Sequence, residues 1–194
     1  MTVVNMLVEG LLDEAVAIRL IEYTRHVPGV CYGKRGYGYV KEKILGFNQT
    51  AHSVCYLALA DFMDTKLNCP SEVISQWLPH RHPNMIFRLV VRELESWLLA
   101  DHDNLAAFLH INSILVPDDP ESIADPKRTI VNLARRSRSS AIRSALVPED
   151  NSTAQVGKLY QSLMADFIQT HWNPSQARQR SPSLARCISR LSEL

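Results

Sequence analysis

Glycine is scarce in this chain, 7 residues in 194, and aromatic side chains make up only 7% of it. With 46% hydrophobic and 21% charged residues, the composition excludes disorder, collagen and a coiled coil. The four cysteines, Cys31, Cys55, Cys69 and Cys187, stand far apart with no Cys-x-x-Cys spacing. That argues against both a zinc ribbon and a disulfide scaffold, and it suits a reducing cytoplasm. No stretch approaches the roughly 20 apolar residues of a membrane span. The first residues have no basic region, and their apolar run is broken at Glu9, Asp13 and Glu14, so no signal peptide is expected. A chain of this length can bury roughly 70% of its unfolded surface, enough for one compact unit without staples.

Net charge is also nearly absent, at +1, but it is unevenly distributed. Residues 1–125 carry 10 basic and 16 acidic side chains, whereas residues 126–194 carry 11 basic and 4 acidic ones. Between Pro126 and Pro148 lie Lys127, Arg128, Arg135, Arg136, Arg138 and Arg143, with no acid among them. Such a block is either a solvated basic face answering the acidic first half or a surface for phosphate or nucleic acid.

Three apolar runs read as strands: Val3–Val8, Ser53–Ala60 and Met85–Val91. A helix follows the first over Leu11–Tyr23, Pro70–Leu78 has helical character, and Leu94, Trp97, Leu98, Leu105, Phe108 and Leu109 recur at helical spacing as a core-facing stripe. Strands alternating with helices indicate a parallel sheet covered on both faces, which is an α/β fold. The Gly-rich, basic and aromatic segment Tyr32–Tyr39 reads as a loop. Lys34 and Arg35 suit it to phosphate, although its spacing matches no nucleotide-binding fingerprint. Beyond residue 115 the strand signal fades into helices near 127–138, 152–171 and 183–192, the last opened by Ser181-Pro182. The expected organisation is a single domain over 1–194, with an α/β core over 1–115 and a helical, basic extension over 116–194.

Three of the expected strands end in carboxylates: Glu9 after the first, Asp61 and Asp64 after the second, Glu93 and Glu95 after the third. In an open parallel sheet the ligand crevice lies at the carboxyl ends of the strands, so these acids are expected to converge. Each also has an ordinary structural use, as a helix cap or a first-turn acid. Together they point to a site for Mg²⁺ or Mn²⁺, which bind through a few carboxylates and retain water for a phosphate substrate. Other chemistry is thinner. His80 and His82 lack a third ligand, Ser53 and Ser96 lack an adjacent base, and Asp101 and Asp103 read as caps.

The run Val8-Glu9-Gly10-Leu11-Leu12-Asp13-Glu14, with Leu57-Ala58-Leu59-Ala60-Asp61-Phe62-Met63-Asp64, resembles the glutamate-glycine and Asp-x-Asp motifs of Toprim domains. Those domains occur in topoisomerases, primases and overcoming-lysogenisation-defect nucleases. Arg92-Glu93-Leu94-Glu95-Ser96-Trp97-Leu98-Leu99-Ala100-Asp101, Asp125-Pro126-Lys127 and Arg180-Ser181-Pro182-Ser183-Leu184 resemble the Toprim-like domain-of-unknown-function family 4276, and the resemblance covers nearly the whole chain. It implies a Toprim-like sheet in which Glu9 acts as general acid or base and Asp61 holds a divalent metal. It also implies nuclease work beside an ATPase, in defence against phage or mobile elements. The sequence departs from the pattern at Met63, where the second aspartate of a strict Asp-x-Asp would fall. Asp64 comes one residue late, so a non-catalytic partner of an ATPase stands as the alternative. A phosphotransfer or nucleotide-binding enzyme is a third reading.

Overall fold

A computed structural model of the chain describes every residue from Met1 to Leu194 apart from Lys66 and Asn68. Four strands, β1 (Val3–Val8), β2 (Val27–Gly33), β3 (Cys55–Asp61) and β4 (Met85–Val90), form one sheet in the order β2-β1-β3-β4, with every pairing parallel. The connections are helical: α1 (Leu11–Tyr23), α2 (Tyr37–Thr50) and α3 (Pro70–Trp77). After β4 come α4 (Leu94–Leu99), α5 (His102–Phe108), α6 (Pro126–Arg135), α7 (Ser140–Leu146), α8 (Tyr160–Thr170), α9 (Pro174–Ala177) and α10 (Pro182–Leu191). The fold is therefore α/β, a four-stranded parallel sheet flanked by helices.

β1 and β3 are the central strands, and they and the edge strand β4 are almost wholly buried because helices cover both faces of the sheet. β2 was not expected. It carries Pro28 and Gly29, which weaken any strand pattern, and it survives because it lies at the sheet edge and pairs with β1 alone. At its middle the register with β1 shifts, and the Asn5 side-chain oxygen accepts the Val30 N–H at 2.8 Å. The segment expected as a loop over Tyr32–Tyr39 thus contracts to residues 34–36, with β2 ending at Gly33 and α2 starting at Tyr37. Gly33 is required at that bend. Its φ is +101°, and a Cβ there would lie 2.2 Å from the Val8 carbonyl oxygen.

Helix starts follow their capping signals. The Asp125 carboxylate accepts the Arg128 N–H at 2.8 Å with Pro126 in the first turn, and the Ser181 hydroxyl accepts the Leu184 N–H at 3.2 Å ahead of Pro182. The helices after residue 115 do not stand apart from the sheet. α8 packs on α1 and α10 on β4, and Tyr160, Phe167, Trp172 and Leu184 share one buried core with Leu20, Leu57, Ile86 and Trp97. Two indoles secure this layer: Trp97 Nε1 donates to Ser183 Oγ at 2.8 Å, and Trp172 Nε1 donates to the Trp97 carbonyl at 3.1 Å. A smaller core on the opposite face gathers Val40 and Ile44 of α2, Val73 and Trp77 of α3, and Ala58, Ala60, Phe87 and Leu89 of the sheet. No helix among the described residues is long and apolar enough to cross a membrane.

Candidate functional site

From β1 the chain crosses to β2 on one side and later returns to β3 on the other. This topological switch point opens a crevice at the carboxyl ends of β1 and β3. Glu9 follows β1 directly and Asp61 is the last residue of β3. Glu9 Oε1 accepts the backbone N–H of Asp61 at 3.0 Å, which ties the two strand ends together. Oδ1 of Asp61 is buried without a hydrogen-bond partner among the described residues, and so is Oδ1 of Asp13, from the first turn of α1.

Around them lies a cavity of about 400 Å³, whose lining includes Glu9, Asp13, Asp61, Asp64, Glu95, Lys127 and Tyr160. Glu95, in the first turn of α4, is 2% exposed; it accepts the Tyr160 hydroxyl at 3.2 Å and lies 3.5 Å from Lys127 Nζ. Lys127 is the only Lys or Arg among the described residues lining this cavity, and its Nζ is also 3.5 Å from Glu93.

Five carboxylates facing one ammonium leave excess negative charge in a poorly hydrated space. Burial pushes the Glu9 carboxyl up to about 7; the Asp61 N–H opposes this, while the charges of Asp13 and Asp64 reinforce it. Burial likewise raises Asp13 to about 6, against the pull of the backbone N–H groups of Asp13 and Gly10. Glu95 rises to about 7 through burial and the charge of Glu93, despite Lys127. Asp61 is driven well above the carboxylate range by burial first, then by Asp13 and Glu9. For Lys127, burial disfavours the charge, but Glu95, Glu93 and Asp61 outweigh it and hold the ammonium above its ordinary value.

Such a cluster holds protons near neutrality unless a cation replaces them. The donors are all hard oxygens, and the two unpartnered buried carboxylate oxygens are of the type a hard divalent ion takes. Among the described residues, no three His, Cys, Asp or Glu side chains are grouped closely enough to hold a metal unaided. Mg²⁺ is nevertheless compatible, because it commonly binds through one or two carboxylates and fills its remaining positions with water and substrate phosphate.

Glu9, Asp61, Asp64 and Glu95, expected at the site from their positions after strands, line the one cavity. Glu93 does not line it; its Oε1 accepts the Lys127 N–H at 2.6 Å, binding the first turn of α6. Two cations expected at phosphate meet carboxylates on this chain: Lys127 as above, and Lys34, whose Nζ is 3.1 Å from Glu14. Arg35 lies over the Tyr39 ring, 5.6 Å from its centroid. His82 Nδ1 accepts the Asn84 N–H, and Asp101 binds the Asn104 amide and the Asn173 N–H, so these residues serve the local structure.

Arg128 and Arg135 remain available. With Val131 and Asn132 they form one face of α6, at i, i+3, i+4 and i+7, along a second cavity of about 580 Å³. The same cavity is lined by Pro148 and by the acids Asp125, Glu149 and Asp150. Lys127 and Gln155 line both cavities, so this trough of mixed charge opens into the acidic crevice. Arg136 and Arg138 are exposed outside this trough.

Sequence reasoning missed Asp13 and Tyr160. Asp13 had a readable signal, since it shares a helix face with Val16, Ala17 and Leu20, all buried. Tyr160 had none, because its partner Glu95 is 65 residues away. No family model, no curated protein and no solved structure matches the chain.

Proposed function

We propose that the chain is a Mg²⁺- or Mn²⁺-dependent, Toprim-type nuclease that cleaves phosphodiester bonds and works with an ATPase in defence against phage or mobile elements. The observation carrying this reading is the Glu9–Asp61 junction: two acids, joined by a main-chain hydrogen bond, at the switch point of a parallel sheet, with a trough carrying Arg128 and Arg135 beside them. Asp61, whose Oδ1 is buried without a partner among the described residues, would hold the ion with at most one further carboxylate such as Asp64, and water and substrate phosphate would complete its shell. When bound, the ion polarises the phosphoryl oxygens and stabilises the leaving oxygen. Glu9, with its carboxyl near 7, is suited to give or take a proton at the scissile phosphate in neutral solution. Lys127 and the Tyr160 hydroxyl fix Glu95 in place, and Arg128 and Arg135 receive the neighbouring phosphates of the strand.

The test is a cleavage assay on DNA and RNA, single- and double-stranded, with Mg²⁺ or Mn²⁺ and with the ATPase encoded nearby. Wild type is expected to cleave, and Asp61→Asn is expected to lose cleavage while still folding. Asp64→Asn then reports whether the late aspartate replaces the one missing at Met63: a loss as large as that of Asp61→Asn means it does. Absence of both cleavage and Mg²⁺-dependent thermal stabilisation in the wild type rejects the reading.

The second reading is a non-catalytic Toprim-like subunit of that ATPase. It is favoured by Met63, which is 41% exposed and offers no carboxylate at the strict motif position. A chain that binds the ATPase and alters its turnover without cleaving nucleic acid supports this alternative.

A further inference from the structure

A second charged cluster lies outside the crevice, and it is built of arginines. On β4, side chains alternate between the two faces, so Arg88 shares its face with Ile86 and Val90, on the side where α10 packs. Arg88 is half-buried, and its Nε is buried without a hydrogen-bond partner among the described residues. From α10 come Arg186 and Arg190, one helical turn apart with the buried Cys187 between them. Arg190 Nη2 donates to the Pro83 carbonyl at 2.9 Å, fastening α10 to the segment that holds Arg81. The cluster therefore extends toward the start of β4, whereas the carboxylates occupy the far ends of the strands.

Little balances these four charges. Glu193 pairs with Arg190 at 2.6 Å, but Arg81, Arg88 and Arg186 have no ion-pair partner among the described residues. Burial lowers the Arg88 guanidinium from its ordinary value; Cys187 opposes this, and the charges of Arg81, Arg190 and Arg186 add to it. Arginine nonetheless stays charged in proteins. A half-buried, unpaired guanidinium among three others therefore calls for an anion from outside. A carboxylate satisfies one fork, whereas a phosphate group has enough acceptor oxygens to meet several guanidinium groups at once.

We propose that Arg81, Arg88, Arg186 and Arg190 form a site for a phosphate group, separate from the carboxylate crevice and independent of its activity. Two sources share that chemistry: a free phosphate or mononucleotide, and the backbone of a nucleic acid running over the β4 edge.

The probe is inorganic phosphate, with chloride at matched ionic strength as reference and no divalent ion present. Phosphate is expected to raise the melting temperature of the wild type above the chloride value. Arg88→Met should abolish that rise, and without phosphate it should melt at or above the wild-type temperature, having lost an unbalanced charge. Should Arg88→Met fail to fold, Arg81→Ala combined with Arg186→Ala changes exposed positions only, and calorimetry should show phosphate affinity falling by about tenfold or more. Arg128→Ala with Arg135→Ala, in the trough, should leave the effect intact. Displacement of phosphate by a short oligonucleotide, but not by AMP, assigns the nucleic-acid backbone, and the reverse assigns a free ligand. The proposal is overturned by a rise that chloride reproduces, by one that survives the cluster variants, or by a cluster that takes an acidic peptide in preference to phosphate.

Discussion

The Glu9 carboxylate accepts the main-chain N–H of Asp61 at 3.0 Å, across two neighbouring parallel strands. A glutamine amide oxygen can accept the same hydrogen bond without the charge. Glu9→Gln is therefore expected to keep the strand ends joined and to melt no lower than wild type at neutral pH. Cleavage should fall by roughly 10²- to 10⁴-fold, the usual contribution of a proton-transfer group. Paired melting and cleavage measurements check this, and a variant that unfolds would assign Glu9 a structural role instead.

Stability should depend on pH in the direction opposite to that of ordinary salt-bridged acids. Glu9 and Glu95 rise from 4.5 to about 7, and Asp13 rises from 3.8 to about 6. A folded state that holds protons more tightly than the unfolded chain is favoured below the unfolded values and loses that advantage as pH climbs through the folded ones. Melting temperature is thus expected to decline from about pH 4 to about pH 7 in the absence of divalent ions, and Glu9→Gln should flatten part of the decline. Because carboxylates must be ionised to bind metal, Mg²⁺ should stabilise the protein more at the upper end of this window. A flat profile would count against the buried acidic cluster.

Lys127 lies 3.5 Å from both Glu93 and Glu95. Lys127→Met removes the cation and leaves two buried carboxylates facing each other, at a cost of about 1–3 kcal/mol. Adding Glu95→Gln should restore part of the loss. A double-mutant cycle by denaturant unfolding measures the coupling, and strict additivity would mean the ion pairs contribute nothing.

If the trough along α6 holds a nucleic-acid backbone, Arg128 and Arg135 act on its phosphates and not on its sequence. Arg128→Ala combined with Arg135→Ala should weaken binding to every sequence alike. Each lost contact should reduce the slope of log affinity against log salt by roughly 0.7 to 0.9. The same treatment of Arg136 and Arg138, outside the trough, is expected to do less. Titrations at several salt concentrations decide between these outcomes.

β1, β3 and β4 were legible because Leu57–Ala60 and its counterparts in β1 and β4 are buried on both faces, and burial of that kind writes continuous apolar runs. β2 and α2 were not. Pro28 and Gly29 obscure the edge strand, while Gly38 and Gly46 interrupt a helix that fully buries only Val40 and Ile44. The convergence of Glu9 and Asp61 was readable because each closes an apolar run at the same sheet edge. The meeting of Lys127 with Glu93 and Glu95 was not, since a basic run looks alike whether it faces solvent or a carboxylate more than thirty residues away.

The acidic crevice also bears on the order in which the chain is synthesised. Its members come from the turn after β1 and from α1, β3, α4, α6 and α8, so the acids Glu9, Asp13 and Asp61 are made long before Lys127 and Tyr160, which hold Glu95 in place. A nascent chain halted near Asp61 has its carboxylates but neither the cation nor the walls of the cavity. The crevice closes only when α8 docks on α1, late in synthesis, after nearly all the sheet contacts are available. A chain stopped anywhere before α8 therefore carries the acids of the crevice without the wall that completes it.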